Sequence, residues 1–256
     1  SFLLIAFYRD RYLPVKNALK VIWTYRFGDI CLILAMWMSH HLWHENITFI
    51  KLLDPALVGA HFEEHGGYAV FITLMLLVAA TVKSAQLPFS SWLPRAMEGP
   101  TTSSAIFYGS LSVHLGVFLL LRTYVYWSSV PLIQALLILS GISTSIITSA
   151  IARVQSSVKA QIAYASVAQI GLMFIEVSLG FHTLALLHFA GNAFLKTYQL
   201  LVSPSVLSYQ IHKMVFSFSP GGHQREQNEL LNKLKSTIYI LSVKEWNLDF
   251  LLHHFL

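Results

Sequence analysis

The sequence contains little charge and little cysteine. Only 11% of its 256 residues are charged, 55% are hydrophobic, and Cys31 is the single cysteine. Soluble globular domains carry about 25% charged residues, so the composition argues against a soluble enzyme and against a disordered tail. One cysteine excludes an intrachain disulfide, a CxxC redox motif and an iron–sulfur cluster held by this chain alone. An integral membrane protein remains, with length for roughly six or seven crossings of ~20 residues each.

Nucleotide-binding and hydrolase motifs are also missing. The patterns GxGxxG, Walker A, GxSxG and HExxH do not occur, and no polar stretch is long enough for a soluble catalytic domain. We therefore expect no catalytic centre and no cofactor in this chain, although it could act within an enzyme complex. The chain begins at Ser1 inside an apolar run without an initiator Met, and we expect it to be a fragment of a larger protein.

Charge-free stretches define the predicted crossings. Asp, Glu, Lys and Arg are absent from residues 65–82, 99–121, 123–152, 160–175 and 177–195. With the breaks at proline and glycine, they predict an all-α, polytopic transmembrane helix bundle of about six spans. These are residues 12–38, 68–86, 103–122, 131–152, 161–179 and 183–203, preceded by the end of an earlier helix at residues 1–8.

Basic residues are divided unequally between the two sets of loops. Twelve of them lie on one side, in loops 9–20, 87–102 and 153–160 and in the tail after Pro204. The opposite loops hold only Lys51 and Arg122. The positive-inside rule assigns the twelve to the cytoplasm, so the net charge of +5 reflects topology and not a nucleic-acid surface. The outer loop 39–67 holds the histidine clusters His40–His44 and His61–His65 without a strong helix pattern, and we expect no metal site there.

Three basic residues of the predicted spans fall outside the loops, namely Arg26, Lys83 and Lys196, and the acidic Asp29 joins them. Each costs at least ~2.5–3.5 kcal/mol at a helix centre, so such residues usually pair, face the bundle interior or meet water. Arg26 and Asp29 are three residues apart and share a helix face. They form either a structural ion pair or part of a charge relay.

Lys83 follows eighteen charge-free residues and precedes Pro88. Proline removes a backbone donor and clashes with the carbonyl four residues earlier, so the sequence predicts a discontinuous helix near Lys83–Pro88. Such a break at membrane depth survives when it is buried in protein or lines a wet cavity, and ion sites of transporters are often built there. The alternative is a lysine that extends to the cytoplasmic surface.

A polar stripe follows one face of the last predicted span. His188, Asn192 and Lys196 are spaced by four residues and therefore lie on roughly one helix face. Histidine titrates near neutral pH, so the stripe suits a proton path, and the alternative is hydrogen bonding for helix packing only. His114 is isolated in its span and is either a core histidine or a relay member.

Several motifs resemble those of one known family. They are the run Lys83-Ser84-Ala85-Gln86-Leu87-Pro88 through Gly99-Pro100-Thr101, the segment Thr24–Asp29, the stretch Gln155–Phe174 and the segment His188–Lys196. In order and spacing they resemble the antiporter-like subunits of respiratory complex I, of the L-subunit type (mitochondrial subunit 5). The resemblance covers about residues 1–203.

This resemblance implies a proton-translocating channel half. The lysine matching Lys83 is the family's central protonatable residue on a broken helix, and Asp29, Lys159, His188 and Lys196 match other members of its polar axis. Lys159 and Lys196 would pass the proton onward, and His188 would bridge between members of this relay. Two positions depart from the family pattern, because histidines are replaced by Asn192 and Tyr108. The acid that pairs with the central lysine would lie before Ser1, and a later broken helix is not contained in these residues.

Other segments resemble the DabB branch, the membrane subunit of bacterial inorganic-carbon accumulation complexes. They are Ser104–His114, Asn192–Pro204 and Lys244–Asp249. This implies a bacterial cytoplasmic membrane, and a soluble or peripheral partner of the DabA type that resembles a zinc β-carbonic anhydrase. The zinc would belong to that partner, where cation flow would drive hydration of carbon dioxide to bicarbonate. The first alternative is an L-type subunit of NADH-quinone oxidoreductase, whose partners would be other complex I membrane subunits. The second is a non-conducting membrane anchor for a soluble partner.

The tail differs in composition from the rest. We expect a transmembrane antiporter-like domain at residues 1–204 and a cytoplasmic tail at residues 205–256. The tail should contain an amphipathic helix within residues 223–236 and, at residues 238–256, an interfacial or partner-docking segment that does not span the bilayer.

Overall fold

The computed structural model describes residues 2–43, 48–216 and 229–250. These residues are 86% helical and contain no strand. The α-helices are α1 (Phe2–Ile5), α2 (Tyr12–Trp43), α3 (Phe49–Leu52), α4 (Pro55–Lys83), α5 (Trp92–Ala96), α6 (Thr101–Ser103), α7 (Leu115–Arg122), α8 (Tyr124–Trp127), α9 (Pro131–Val154), α10 (Val158–Ser178), α11 (His182–Phe216) and α12 (Glu229–Val243). The 3-10 helices are Phe89–Ser91, Ser112–His114 and Glu245–Asn247, and Ser104–Leu111 is a π-helix.

Five helical segments in the described part of the chain are long and apolar enough to cross a membrane. They are Tyr12–His41, Pro55–Lys83, Thr101–Arg122, Pro131–Val154 and Val158–Ser178. The prediction of an all-α, polytopic membrane bundle is thereby confirmed. The sixth predicted crossing, residues 183–203, lies inside α11, which is not among the five and which carries the polar stripe His188–Asn192–Lys196.

Helices extend further than the sequence pattern predicted at two places. The predicted loop 39–67 was wrong, because α2 continues to Trp43 and α4 begins at Pro55. The Asp54 carboxylate accepts a hydrogen bond from the Ala56 amide at 3.0 Å, and Pro55 stands at the first helical position, which together start a helix. The histidines His61 and His65 therefore lie on α4, with a kink at His65.

The helix α11 also passes its predicted end. It continues through Pro204 to Phe216, so the break expected at this proline was wrong. A proline removes one backbone hydrogen bond, and membrane helices tolerate such a loss.

The predicted discontinuity after Lys83 is confirmed. The helix α4 ends at Lys83, a turn with Ala85 at φ 52° follows, and the chain resumes with a 3-10 helix and α5. Trp92 Nε1 donates to the Val82 carbonyl at 2.9 Å, and Ser84 Oγ donates to the Val113 carbonyl at 2.7 Å. The Val82 carbonyl also accepts from the Ala85 amide at 3.2 Å, so the break is a buried, hydrogen-bonded feature.

The third crossing is composite. Between α6 and α7 lie the π-helix Ser104–Leu111 and a 3-10 turn that ends at His114. Such π-segments are rare and occur frequently at functional sites. The π-helix packs against α11, where a Cβ on Gly109 would meet Leu200 at 3.1 Å.

The chain after α11 returns to the bundle. The helix α12 contacts α9, and Leu248 is buried in a cluster with Ile151 and Tyr164. The amphipathic helix predicted for residues 223–236 is described from Glu229 onward, within α12. The remainder of that prediction and residues 251–256 lie outside the described residues.

Candidate functional site

An ion pair joins α2 to the end of α4. Lys83 Nζ donates to Asp29 Oδ1 at 2.6 Å and lies 4.6 Å from the centroid of the Tyr25 ring. Asp29 Oδ2 is also 3.8 Å from Arg26 Nη1, whose side chain is 72% exposed. Because Asp29 lies near the middle of α2 and the Lys83 side chain is only 19% exposed, Lys83 is turned toward α2, and this contact argues against a lysine that extends to the surface.

A polar cavity of about 440 Å³ adjoins this pair. Asp29, Lys83, Tyr25, Tyr108 and Ser112 line it, together with apolar residues of α1, α2 and the third crossing. The Tyr25 hydroxyl lies 3.1 Å from Ser112 Oγ. The buried Tyr108 hydroxyl has no hydrogen-bond partner among the described residues. A water occupies about 30 Å³, so this cavity has room for several waters that would bond these groups.

His114 and Asn192 form a second polar cluster. His114 Nδ1 lies 2.7 Å from the Ser110 carbonyl, which can only accept, so this nitrogen carries a hydrogen. Asn192 Nδ2 then donates to His114 Nε2 at 3.1 Å, and it also lies 3.5 Å from Ser166 Oγ. The hydrogen bonds thus set the tautomer of a fully buried imidazole, and His114 is not isolated in space.

His188 forms a third cluster with α10. Its Nδ1 lies 2.8 Å from Glu176 Oε1, and its Nε2 lies 2.9 Å from Gln169 Oε1. Both side chains of the ion pair are partly reached by solvent, at 22% for His188 and 18% for Glu176. The imidazole is therefore held at both ring nitrogens by acceptor oxygens.

The two remaining lysines have different surroundings. Lys196 is buried on α11, one turn beyond Asn192, and its Nζ donates to Gln199 Oε1 at 3.1 Å. Lys159, on α10, donates to the carbonyls of Gly99 at 3.1 Å and of Met97 at 3.4 Å. Lys159 thus binds the loop that follows the broken helix, away from the cavity at Lys83.

The structure brings together some of the relay residues predicted from the sequence and separates others. Arg26, Asp29, Lys83 and Tyr108 meet at the cavity, and Pro88 lies in the turn after α4. Sequence reasoning missed five contributors: Tyr25, Ser112, Ser166, Gln169 and Glu176. Gln169 and Glu176 are seven residues apart on an apolar helix, and this spacing places them on one face, which was a usable signal. Within the described residues, no group of three or more His, Cys, Asp or Glu could hold a metal ion.

Known proteins are similar to this chain over most of its length. The family model described as NADH:quinone oxidoreductase/Mrp antiporter, TM, matches residues 1–231. NADH-quinone oxidoreductase subunit L of Escherichia coli (strain K12) is 35% identical over 227 residues, which cover 87% of this chain and 36% of that protein. NADH-ubiquinone oxidoreductase chain 5 of Petromyzon marinus is 35% identical over 211 residues, which cover 81% of this chain and 33% of that protein.

A solved structure agrees with the fold. A chain of the Mrp complex from Dietzia sp. DQ12-45-1b superposes with a TM-score of 0.72 at 25% sequence identity, covering 83% of this chain and 23% of that chain. The chain spans about a third of the length of the two curated relatives.

Proposed function

Because the chain belongs to the family of NADH:quinone oxidoreductase and Mrp antiporter membrane subunits, we propose that it conducts protons, or another cation, as one subunit of a larger membrane complex. In this proposal the polar side chains inside the bundle move the proton or other cation, and a partner subunit uses the energy that this movement releases.

One observation carries this proposal: the Lys83–Asp29 pair sits on a broken helix beside a polar cavity. A charge at this depth costs at least ~2.5–3.5 kcal/mol on insertion scales unless it is paired or hydrated. The Asp29 carboxylate at 2.6 Å and the face of the Tyr25 ring at 4.6 Å balance the positive charge of Lys83. The cavity provides waters that can accept its proton.

Asp29 provides the means of releasing that proton. Its two oxygens face different cations, with Lys83 at 2.6 Å and Arg26 at 3.8 Å. When the carboxylate turns toward Arg26, Lys83 loses its closest counter-charge and its proton leaves to cavity water. When it turns back, Lys83 takes up the next proton.

The onward route uses the polar residues of the third crossing and α11. The Tyr108 hydroxyl borders the cavity, and His114 continues the same composite crossing to Asn192. From Asn192 the stripe leads one turn to Lys196 and one turn to His188, about 6 Å each way at 1.5 Å per residue. The resemblance to the family adds Lys159 as a further relay member.

The test compares Lys83→Ala with Lys16→Ala, which removes an exposed lysine of α2. Both are made in the complete subunit within its complex, reconstituted in vesicles with a pH-sensitive dye inside and assayed in proton and in sodium gradients. We expect at least a tenfold loss of cation flux in Lys83→Ala and none in Lys16→Ala. Normal flux in Lys83→Ala would overturn the proposal and favour a non-conducting membrane anchor.

We also propose the kind of complex. The resemblance of Ser104–His114, Asn192–Pro204 and Lys244–Asp249 to DabB supports inorganic-carbon uptake with a DabA-type, zinc-containing partner. The 35% identity with subunit L supports the alternative, an L-type subunit of NADH-quinone oxidoreductase. Purification through a tag on this subunit separates the two. A co-purifying zinc protein supports the first assignment, and NADH- and quinone-linked subunits support the second.

The placement of the tail follows from its contacts. Glu245 and Asp249 pair with Arg95, and Asp249 pairs with Lys20. Both basic residues belong to the lysine- and arginine-rich side, which the positive-inside rule assigns to the cytoplasm. We therefore place residues 229–250 at the cytoplasmic face of a bacterial inner membrane. Labelling of a cysteine introduced at exposed Lys235 by a membrane-impermeant reagent in intact cells would contradict this placement.

A further inference from the structure

We infer that Glu176 binds a transported proton, and that it forms with His188 and Gln169 a shared-proton site at the outer end of the bundle. This inference rests on the proposed function and adds to it a residue that neither the polar stripe nor the family resemblance includes.

The hydrogen bonds of His188 allow one proton to occupy either of two positions, on the imidazole or on the Glu176 carboxylate. Gln169 Oε1 is an acceptor, so His188 Nε2 donates to it at 2.9 Å in every state. The 2.8 Å contact between His188 Nδ1 and Glu176 Oε1 also needs one hydrogen. That hydrogen belongs either to an imidazolium facing a carboxylate or to a carboxylic acid facing a neutral imidazole. The two states differ only in the position of this proton along one short contact.

The second carboxyl oxygen shows where a proton can be added. Glu176 Oε2 is buried and has no hydrogen-bond partner among the described residues. An acceptor in this condition carries a desolvation penalty of about 1–3 kcal/mol, which a bound proton or a water removes. The Glu176 and His188 side chains remain 18% and 22% exposed, so the pair lies at the surface of the bundle, where the proton shared between His188 Nδ1 and Glu176 Oε1 would exchange with outer water.

The site lies where the path meets the outer side. Glu176 is two residues before the end of α10 at Ser178, and His188 is in the second turn of α11. The neighbouring titratable groups at this end are His182 and Tyr124, whose rings meet edge to face with their centroids 4.2 Å apart. On the inner side, the next polar residue of the stripe is Asn192, which binds His114.

The replacement of a histidine explains why a carboxylate is needed here. An amide cannot take up a proton near neutral pH, so Asn192 can orient a hydrogen-bonded chain but cannot store a charge. His188 is then the last titratable member of the stripe on this side. Glu176 adds a second proton-binding group in direct contact with it, and the pair can pass a proton between the stripe and outer water.

The test uses Glu176→Gln in the complete complex, with Glu63→Gln as the matched control because Glu63 is an exposed carboxylate on α4. Glutamine preserves size and hydrogen bonding to His188 but cannot carry the proton. We expect at least a tenfold loss of proton flux in Glu176→Gln, partial recovery in Glu176→Asp, and normal flux in Glu63→Gln. We also expect a pH-dependent carboxylic-acid band in infrared difference spectra that Glu176→Gln removes.

The outcomes separate this inference from the proposed function. If Lys83→Ala is inactive while Glu176→Gln keeps normal flux and the infrared band, the shared-proton site is overturned and the proposed function stands. If Lys83→Ala conducts normally, the proposed function itself fails. If Glu176→Gln does not assemble, the band is sought in the wild-type complex with isotope-labelled glutamate. Its absence there overturns the site, and its presence with a shift in Glu176→Asp supports it.

Discussion

Lys83 Nζ lies 2.6 Å from Asp29 Oδ1, although the two residues are 54 positions apart in the sequence. Asp29 also pairs with Arg26 on its own helix at 3.8 Å. It therefore contacts two cations and joins α2 to the end of α4.

Asp29→Asn is expected to lower cation flux at least tenfold, because the amide cannot balance the charge on Lys83. The pair is only 19% and 36% exposed and Lys83 would lose its closest counter-charge, so the free energy of unfolding should fall by about 1–3 kcal/mol. Flux into reconstituted vesicles and thermal unfolding in detergent provide the two measurements. Asp10→Asn, at an exposed position before α2, is the control. Normal flux in Asp29→Asn would show that Lys83 works without this carboxylate.

Gly141→Ala is expected to destabilise the bundle by about 1–3 kcal/mol, the usual range for overpacking. A Cβ on Gly141 would lie 2.5 Å from the Gly171 carbonyl oxygen, so α9 and α10 would have to separate. Gly67→Ala is the matched control, because nothing lies within 4 Å of its added Cβ. Thermal unfolding of the two variants checks this, and equal melting temperatures would contradict the close crossing.

Trp92→Phe is expected to destabilise the helix break by about 0.5–1.5 kcal/mol, because the Val82 carbonyl loses one buried hydrogen bond and keeps only the one from the Ala85 amide at 3.2 Å. Cation flux should fall as well, since Val82 directly precedes Lys83. Trp37→Phe, which changes a tryptophan that is 61% exposed, should leave both stability and flux unchanged. Wild-type flux together with wild-type stability in Trp92→Phe would show that this hydrogen bond does not hold the break in place.

Arg95→Gln is expected to release residues 229–250 from the bundle. Arg95 contacts Glu245 at 3.0 Å and also pairs with Asp249, and hydrogen bonds to charged groups contribute about 1.5–3 kcal/mol. Hydrogen–deuterium exchange should therefore rise in α12 and in the turn after it. Arg153→Gln, at an exposed end of α9, provides the comparison. Unchanged exchange in Arg95→Gln would mean that the contacts of Leu248 and the Lys20–Asp249 pair hold the tail without Arg95.

The spans and their rare charges could be predicted from the sequence because the bilayer imposes simple rules. Long charge-free runs are helical when they cross a membrane in a helix bundle, and such runs identified four of the five crossings. The crossing Tyr12–His41 carries charges and was predicted from its apolar pattern, and the predicted span 183–203 is not among the five. A lysine before a proline was enough to predict the break after α4. The sequence rules failed for the predicted loop 39–67, where residues 55–67 are helical because Asp54 and Pro55 start α4. They failed again at Pro204, which α11 passes.

The partners of the charges were decided by the tertiary structure alone. Spacing along one helix suggested Arg26 for Asp29, left His114 isolated and did not indicate a partner for His188. In the folded chain Asp29 faces Lys83, His114 receives a hydrogen bond from Asn192, and Glu176 binds His188. The sequence by itself determines which rare polar groups enter the membrane, because each carries an insertion penalty visible against an apolar background. Which of them meet depends on how separate helices pack, and periodicity within one helix carries no information about that.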